Sequence, residues 1–405
     1  MQQNSNNFDE MNVQYCVGDA VIMSQLVDAP SKIPFDESII NFLALVSKKL
    51  LSMNEAKEFP DVITLGFWMR KASIESLKRR FEVSDESAVK RGRGVVFHIA
   101  PSNVPVNYAY SLVTGLLCGN KNVIRIPSKD FNQVTIINRV INDALTEMPE
   151  IKPYICLIKY GHDAAVNDKL SEIADVRVIW GGDNTINEIR NSKMKPRATE
   201  ITFADRYSLA VIDSNAYLKA ENKDKIAQNF YNDTYLTDQN ACTSPRAVVW
   251  TGDKITEAKE QFWDMLHKIL IKKYSISGVQ SVNKLTSGYI LAAMKPGVKK
   301  ITSGDNLIIR MQVPSLTSDL MEIKDNSGYF FEYDCKDIYE IREFCNDTRC
   351  QTLAYIGSKE QIKPLIMSDI LGIDRVVPIG ETMNFDFMWD GYNLFERMTR
   401  NIVIK

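Results

Sequence analysis

The stretch VVFHIAPSNVPVNYAYSLVTGLLCGNKNVIRIPSK, residues 95–129, decides how this chain folds. VVFHIA (95–100) is a short, β-rich apolar run that stops at Pro101. PVNYAYSLVTGLLCG (105–119) has helical length and ends at Gly119-Asn120, a plausible helix stop. NVIRIP (122–127) is strand-like again. Strand, helix, strand is a β-α-β unit, and repeated units of this kind build a parallel sheet. The strands are continuous apolar runs rather than alternating ones, as a sheet covered on both faces requires.

The pattern continues outward. NQVTIINRVINDALTEM (132–148) carries apolar residues at 134, 136, 137, 140, 141, 144 and 145, one stripe of a helix. ICLIKY (155–160), AAVNDKLSEIA (164–174) and VRVIWGG (176–182) read as strand, helix and strand. After residue 208 the alternation restarts with SLAVID (208–213), KDKIAQNFYNDTYL (223–236), AVVW (247–250) and TEAKEQFWDMLHKILIKKY (256–274), and LAYIGS (353–358) and DRVVPIG (374–380) look like later strands. Two α/β units follow, with a boundary near 205–210. Ligands of such sheets bind beyond the carboxyl ends of the strands, so loops 101–105, 127–131, 160–163 and 181–185 are the ones to inspect.

A chain of 405 residues is comfortable for two domains, and 45% apolar with 25% charged residues is ordinary globular composition. A net charge of −2 gives no field that favours nucleic acid or an anionic membrane. No apolar run approaches the 18 residues of a membrane span. The start, MQQNSNNFDEMN, lacks the basic and apolar regions of a secretory signal. Seven cysteines, an odd number without a CxxC pair, predict reduced thiols in a cytoplasm. Three histidines without HExxH give no reason to expect a metal.

Four loops offer chemistry. In HIAPSNVPV (98–106), Asn103 either caps the following helix, with Pro105 in its first turn, or gives its amide to an oxyanion. In IPSKD (126–130), Lys129, with Arg125 nearby, could meet a phosphate at a helix N-terminus. Gly181-Gly182 either ends a strand or lets a ligand approach the backbone. No G-x-G-x-x-G fingerprint exists to support a dinucleotide. In TDQNACTSPRAVVW (237–250), Cys242 stands among Gln239, Asn240, Thr243 and Ser244, whereas Cys118 and Cys156 stand in apolar runs and read as core. A nucleophilic cysteine needs access and a stabilised thiolate, which a polar loop with free backbone amides can supply.

Taken together, HIAPSNVPVNYAYSLVTGLLCGNKNVIRIPSK, VIWGGDNTI, DRYSLAVID (205–213), DQNACTSPR (238–246) and WDGYNLFERMTR (389–400) resemble the LuxC-type acyl-CoA reductase family, a branch of the aldehyde dehydrogenase superfamily. The first 90 residues match less specifically. The resemblance implies an α/β fold with a Rossmann-like cofactor domain (1–206), an α/β catalytic domain (207–380) and a C-terminal segment (381–405) that packs back or oligomerises. It implies that Cys242 is the nucleophile and that Asn103 is the oxyanion-hole amide. It places Ser128 and Lys129 of the IPSK loop at the adenosine ribose, with Arg125 as a further cofactor contact, and Gly181 and Gly182 at the pyrophosphate. Where the superfamily's K-P-S-E loop has an acid this chain has Lys129, so NADPH is the expected cofactor. Two departures stand out. The superfamily's E-L-G-G-K segment, which carries its hydrolytic base, is replaced by EITFADRYS (200–208), with Glu200 out of register, and the E-x-F-G-P segment is not recognisable.

The expected activity is therefore NADPH-dependent reduction of an acyl-CoA or acyl-protein thioester, fatty in kind, to the aldehyde through an acyl-cysteine. The alternatives are an aldehyde dehydrogenase running to the acid and a non-catalytic acyl-handling subunit. Expected partners are an acyl-protein synthetase or transferase and further copies of this chain.

Overall fold

The structure is a computed structural model that describes residues 8, 10–81, 87–102 and 104–405. Its chain contacts divide it into two compact units, one formed by residues up to Ala204 together with Tyr392–Lys405, the other by Asp205–Gly391.

The first unit begins with β1 (Gln14–Val17) and four helices, α1 (Ala20–Asp28), α2 (Glu37–Ser52), α3 (Pro60–Trp68) and α4 (Lys71–Phe81). β2 (Ala88–Gly92) precedes the alternating series β3 (Val95–Ile99), α5 (Asn107–Leu117), β4 (Lys121–Arg125), α6 (Asn132–Glu147), β5 (Ile155–Lys159), α7 (Ala164–Ile173), β6 (Val176–Trp180), α8 (Asp183–Arg190) and β7 (Thr199–Phe203). The sheet runs β1-β5-β4-β3-β6-β7, parallel throughout except for β1.

Alternation along β3 divides the two faces of this sheet. Phe97 and Ile99 pack with Leu170 of α7 and Ile186 and Ile189 of α8. His98 points the other way and bonds Ser111 of α5, while Tyr108 of α5 bonds Asn138 of α6. β3 and β6 are neighbours, yet the chain leaves β3 toward one face and β6 toward the other. Their carboxyl ends are thus the switch point where doubly wound sheets hold ligands.

In the second unit the series is β8 (Tyr207–Asp213), α9 (Ser214–Lys219), α10 (Lys223–Thr234), β9 (Pro245–Thr251), α11 (Ile255–Lys273), α12 (Gly278–Met294), β10 (Lys299–Thr302), β11 (Ile309–Gln312), β12 (Tyr329–Asp334), α13 (Arg342–Asn346), β13 (Cys350–Ile356), α14 (Lys359–Ile366), β14 (Arg375–Pro378) and β15 (Met388–Trp389). The sheet order is β10-β11-β12-β9-β8-β13-β14, parallel except for β10. One face packs Trp250 of β9 against Phe230 of α10 and Phe262 of α11. The other packs Tyr207 and Val249 against Leu291, Phe344 and Leu365. The first unit is completed by β16 (Tyr392–Asn393), α15 (Leu394–Met398) and β17 (Thr399–Val403), with β17 antiparallel to β2.

Local readings were sharpened in two places. Helix α5 starts at Asn107, capped by Val106, so Pro105 precedes the helix rather than lying in its first turn. Asn103 lies outside the described residues. Gly119 has φ 81°, the left-handed stop expected of it.

Candidate active site

Carboxyl-edge loops of the first sheet bring together most of the residues expected to hold a cofactor. Arg125 ends β4, lies over the Tyr160 ring at 4.7 Å and donates to the Gly161 carbonyl at 3.1 Å. Ser128 and Lys129 are exposed in the loop that follows, and Lys129 has no ion pair among the described residues. Next to it, Asp130 is taken by Lys159 at 2.6 Å. Gly181 ends β6 with its N–H on the Phe203 carbonyl at 3.1 Å, and Gly182 is the N-cap of α8 with no side chain to cap it. A Cβ built on Gly182 would meet nothing within 4 Å, so open space lies against the backbone there. A helix N-terminus, a bare backbone and unpaired cations suit the phosphates of a dinucleotide.

His98, close by in sequence, is no part of this edge. It is fully buried between Ser111 at 2.7 Å and Asn122 at 3.0 Å, and burial holds its pKa down to about 4, so it is a neutral core residue.

Cys242 lies at the opposite kind of edge, in the loop that enters the amino end of β9. The loop owes its polar sequence to clamping. Asp238 and Gln239 take left-handed backbone (φ 52° and 54°). The buried Gln239 side chain donates to the carbonyls of Pro245 (3.1 Å) and Tyr329 (3.3 Å) and accepts from the N–H groups of Gly328 (2.7 Å) and Tyr329 (3.1 Å). Arg246 donates to the Asp325 carbonyl at 2.6 Å and to the Gln239 carbonyl. Ser208 donates to the Cys242 carbonyl at 2.8 Å and accepts from the Thr352 N–H at 3.3 Å, which ties the loop to β8 and β13.

Of the seven cysteines only Cys16 and Cys242 keep solvent access, while Cys118 and Cys156 are core. The Cys242 thiol is pushed up to about 12, first by burial and then by the charge of Asp390. Arg206 and the backbone N–H groups of Cys242 and Thr243 pull the other way. In this state the sulfur is a protonated thiol.

Around it stand polar groups that sequence reasoning had not assembled. Arg206 precedes β8 and pairs with Asp374 at 2.5 Å. Arg375 of β14 covers the Trp389 ring at 4.2 Å. Asp390, buried, accepts from the Gln351 amide. Buried Arg206 Nε, Gln351 Oε1, Thr352 Oγ1, Thr382 Oγ1 and Trp389 Nε1 have no hydrogen-bond partner among the described residues. Only the Asp-Gly pair in WDGYN hinted at this cluster, since such a pair marks a tight turn but says nothing of what the carboxyl faces.

Glu200 lies on β7 and is held by Arg177 at 2.5 Å and Arg190 at 2.8 Å, an ion-pair role in the first unit. Phe230, Tyr231 and Trp250 belong to the core between the second sheet and its helices.

These features can be set beside known proteins. The model of the acyl-CoA reductase (LuxC) family matches residues 34–278. The chain belongs to that family. Cys242, Arg125, Ser128, Lys129, Gly181 and Gly182 lie inside the matched residues. Among curated relatives, the long-chain acyl-protein thioester reductase 2 of Photobacterium leiognathi is 26% identical over 302 residues, 72% of this chain and 59% of that protein. The long-chain acyl-protein thioester reductase of Aliivibrio fischeri is 25% identical over 295 residues, 71% of this chain and 58% of that protein. The match thus spans about three-fifths of these relatives' length. Solved structures with the same fold include an NAD-dependent benzaldehyde dehydrogenase from Corynebacterium glutamicum (TM-score 0.64, 15% identity, 95% of this chain and 89% of that one). A lactaldehyde dehydrogenase aligns with TM-score 0.66 at 12% identity, over 95% of this chain and 88% of that one. This family member therefore has the aldehyde dehydrogenase fold, with the Rossmann-like α/β architecture expected from its sequence. Among the described residues no helix is long and apolar enough to cross a membrane.

Proposed function

We propose that this chain reduces an acyl thioester to an aldehyde through an acyl-cysteine at Cys242, with NADPH as cofactor. The observation that carries the reading is the setting of Cys242: a cysteine that keeps solvent access, in a rigidly clamped loop, inside the residues matched to an acyl-CoA reductase family.

Sulfur attack on the thioester carbonyl expels the carrier thiol and leaves the acyl group on Cys242. The Cys242 N–H would receive the developing oxyanion, and one such donor contributes about 3 kcal/mol to the transition state. For Asn103 the proposal rests on the family resemblance alone, which makes its carboxamide the second donor. Arg125, Ser128, Lys129, Gly181 and Gly182 would hold the dinucleotide, with Lys129 favouring a 2′-phosphate. Bound there, NADPH supplies the hydride that takes the acyl group to the aldehyde.

The names of the curated relatives support a long-chain acyl group carried on a protein, and a synthetase or transferase that loads such a carrier belongs to the same proposal; acyl-CoA is the simpler donor to test. Self-association belongs to it too, supported by Val279, Val282, Tyr289 and Ile290 exposed along α12. Oxidation to the acid fits less well. It needs a base for water, and Glu200 is committed to two arginines.

The test is to incubate the protein with labelled hexadecanoyl-CoA without NADPH. A hydroxylamine-labile adduct that disappears in Cys242→Ala is expected. An adduct that survives in Cys242→Ala removes Cys242 from the role. Consumption of NADPH across acyl-CoA lengths then separates a reductase from a non-catalytic acyl carrier.

A further inference from the structure

One buried cation of the second unit has no part in the chemistry above. Lys284 of α12 is fully buried and forms no ion pair among the described residues. Its ammonium donates instead to two main-chain carbonyls, Asn306 at 2.5 Å and Ser327 at 2.6 Å. Burying an ammonium without a counter-charge is expensive, and a well-packed apolar side chain would join the same elements at lower cost. The cost points to a task that packing alone does not meet.

Both carbonyls belong to residues with left-handed backbone. Asn306, between β10 and β11, has φ 59°, and Ser327 has φ 61° with Gly328 (φ 87°) directly after it. The Cys242 loop brings a second such pair, Asp238 and Gln239. Non-glycine residues in this region are strained, and they persist where their surroundings over-determine them.

The two left-handed pairs are bonded to each other. The Ser327 N–H donates to the Asp238 carbonyl at 3.4 Å, and the Gly328 N–H donates to Gln239 Oε1 at 2.7 Å. A Cβ on Gly328 would collide with the Tyr235 hydroxyl and the Leu307 carbonyl, which are themselves joined by a 3.0 Å hydrogen bond. Bare backbone is therefore required at this junction. From the other side Tyr274, just past α11, donates its hydroxyl to the Asp238 carboxylate, to which Gln280 of α12 also donates at 2.7 Å. Lys284 thus holds one strained turn and Tyr274 the other, and the turns meet three residues before Cys242.

We propose that Lys284 and Tyr274 are positioning residues for Cys242. They hold the Ser327-Gly328 turn against Asp238-Gln239, and the loop fixed in this way sets where the thiol and its own N–H stand. The inference rests on the reading of Cys242 as the acyl acceptor. Neither side chain makes or breaks a bond to substrate. Their effect is on alignment: acyl transfer needs sulfur, oxyanion donor and carbonyl carbon in register, and a displacement of about 1 Å costs on the order of 100-fold. Alkylation by a small haloacetamide needs the sulfur alone.

The experiment compares wild type, Lys284→Met and Tyr274→Phe. Single-turnover acylation is measured with labelled hexadecanoyl-CoA, without NADPH. Iodoacetamide alkylation is read on the peptide that carries Cys242. Both rates are taken per folded molecule, counted by circular dichroism. Lys284→Met keeps the length of the stem and removes the ammonium, and its acylation should be roughly 100-fold slower. Tyr274→Phe removes one hydroxyl and keeps the ring against Tyr235, and its acylation should be roughly tenfold slower. Alkylation should stay at the wild-type rate in both. A merely structural role would lower the melting temperature and leave both rates per folded molecule unchanged. The proposal is overturned if acylation stays at the wild-type rate, or if acylation and alkylation fall together. If Lys284→Met does not fold, Tyr274→Phe decides by the same two rates. A wild-type protein that is alkylated at Cys242 but takes no acyl group defeats the acyl-acceptor reading, and this proposal with it.

Discussion

The two sheets of this molecule carry their candidate residues at opposite edges. In the first, Arg125, Ser128, Lys129, Gly181 and Gly182 lie at or beyond the carboxyl ends of β4 and β6, half-buried or exposed, and offer bare backbone and cations without an ion pair among the described residues. In the second, Cys242 sits at the amino end of β9, among half-buried and buried polar side chains whose valences are incompletely filled. The contrast is one of dielectric. An open edge can bind a charged, hydrated ligand at little desolvation cost, and its contribution is additive and modest. A desolvated pocket magnifies every charge, so a single carboxyl group can decide whether a thiol reacts.

If that division holds, the largest effects should come from the second unit. Cys242→Ala should lower acyl-enzyme formation at least about 1000-fold, read from the labelled adduct, while NADPH still protects the protein in a thermal shift.

Next comes the stability of the buried carboxyl. The folded pKa of Asp390 is about 7, above the ordinary value of 3.8. Between these values the folded state holds a proton that the unfolded state has lost, so the group's contribution to stability falls as pH rises through that window. Asp390→Asn should therefore be more stable than wild type at pH 8, by about 2–4 kcal/mol. The advantage should shrink toward pH 4 in denaturant melts followed by circular dichroism. An equal difference at both ends would break the account of a desolvated pocket.

The glycines sharpen the comparison. Gly391 combines φ 73° with the Asp374 carboxylate 2.6 Å from a Cβ, so Gly391→Ala should cost about 1–2 kcal/mol in the same melts. Lys129→Glu should shift the preference for NADPH over NADH by roughly tenfold, about 1.4 kcal/mol, seen in cofactor titrations, with melting unchanged. Gly182→Ala has φ −67° and open space at the new methyl, so stability should change by less than about 0.5 kcal/mol. Its effect should appear only as weakened dinucleotide binding.

The first sheet was legible because its strands are short continuous apolar runs separated by helices with clear stripes, a purely local signal. Much else was not. The helices before residue 82 and strands β10 to β12 carry weaker local patterns, and YFFEYD of β12 becomes a strand because it pairs with β9 and β11 in the sheet. The start of α5 shifted to Asn107 because the Pro105 stretch leads into the helix instead of opening it. Cys242 stood out among seven cysteines by its polar neighbours, although Gln239 turned out to bond backbone groups rather than the sulfur. Asp390 stood in the sequence only as one residue of the WDGYNLFERMTR stretch.

What the residues alone determined was the doubly wound architecture, with the loops and the thiol worth testing, because each depends on periodicity or composition within a few positions. Tertiary structure decided the surroundings of the thiol. Cys242, Gln351 and Asp390 are more than a hundred residues apart from first to last, and only folding strips the water from them and sets one charge beside another. Desolvation is a property of the surroundings in space, and no local stretch of sequence carries it.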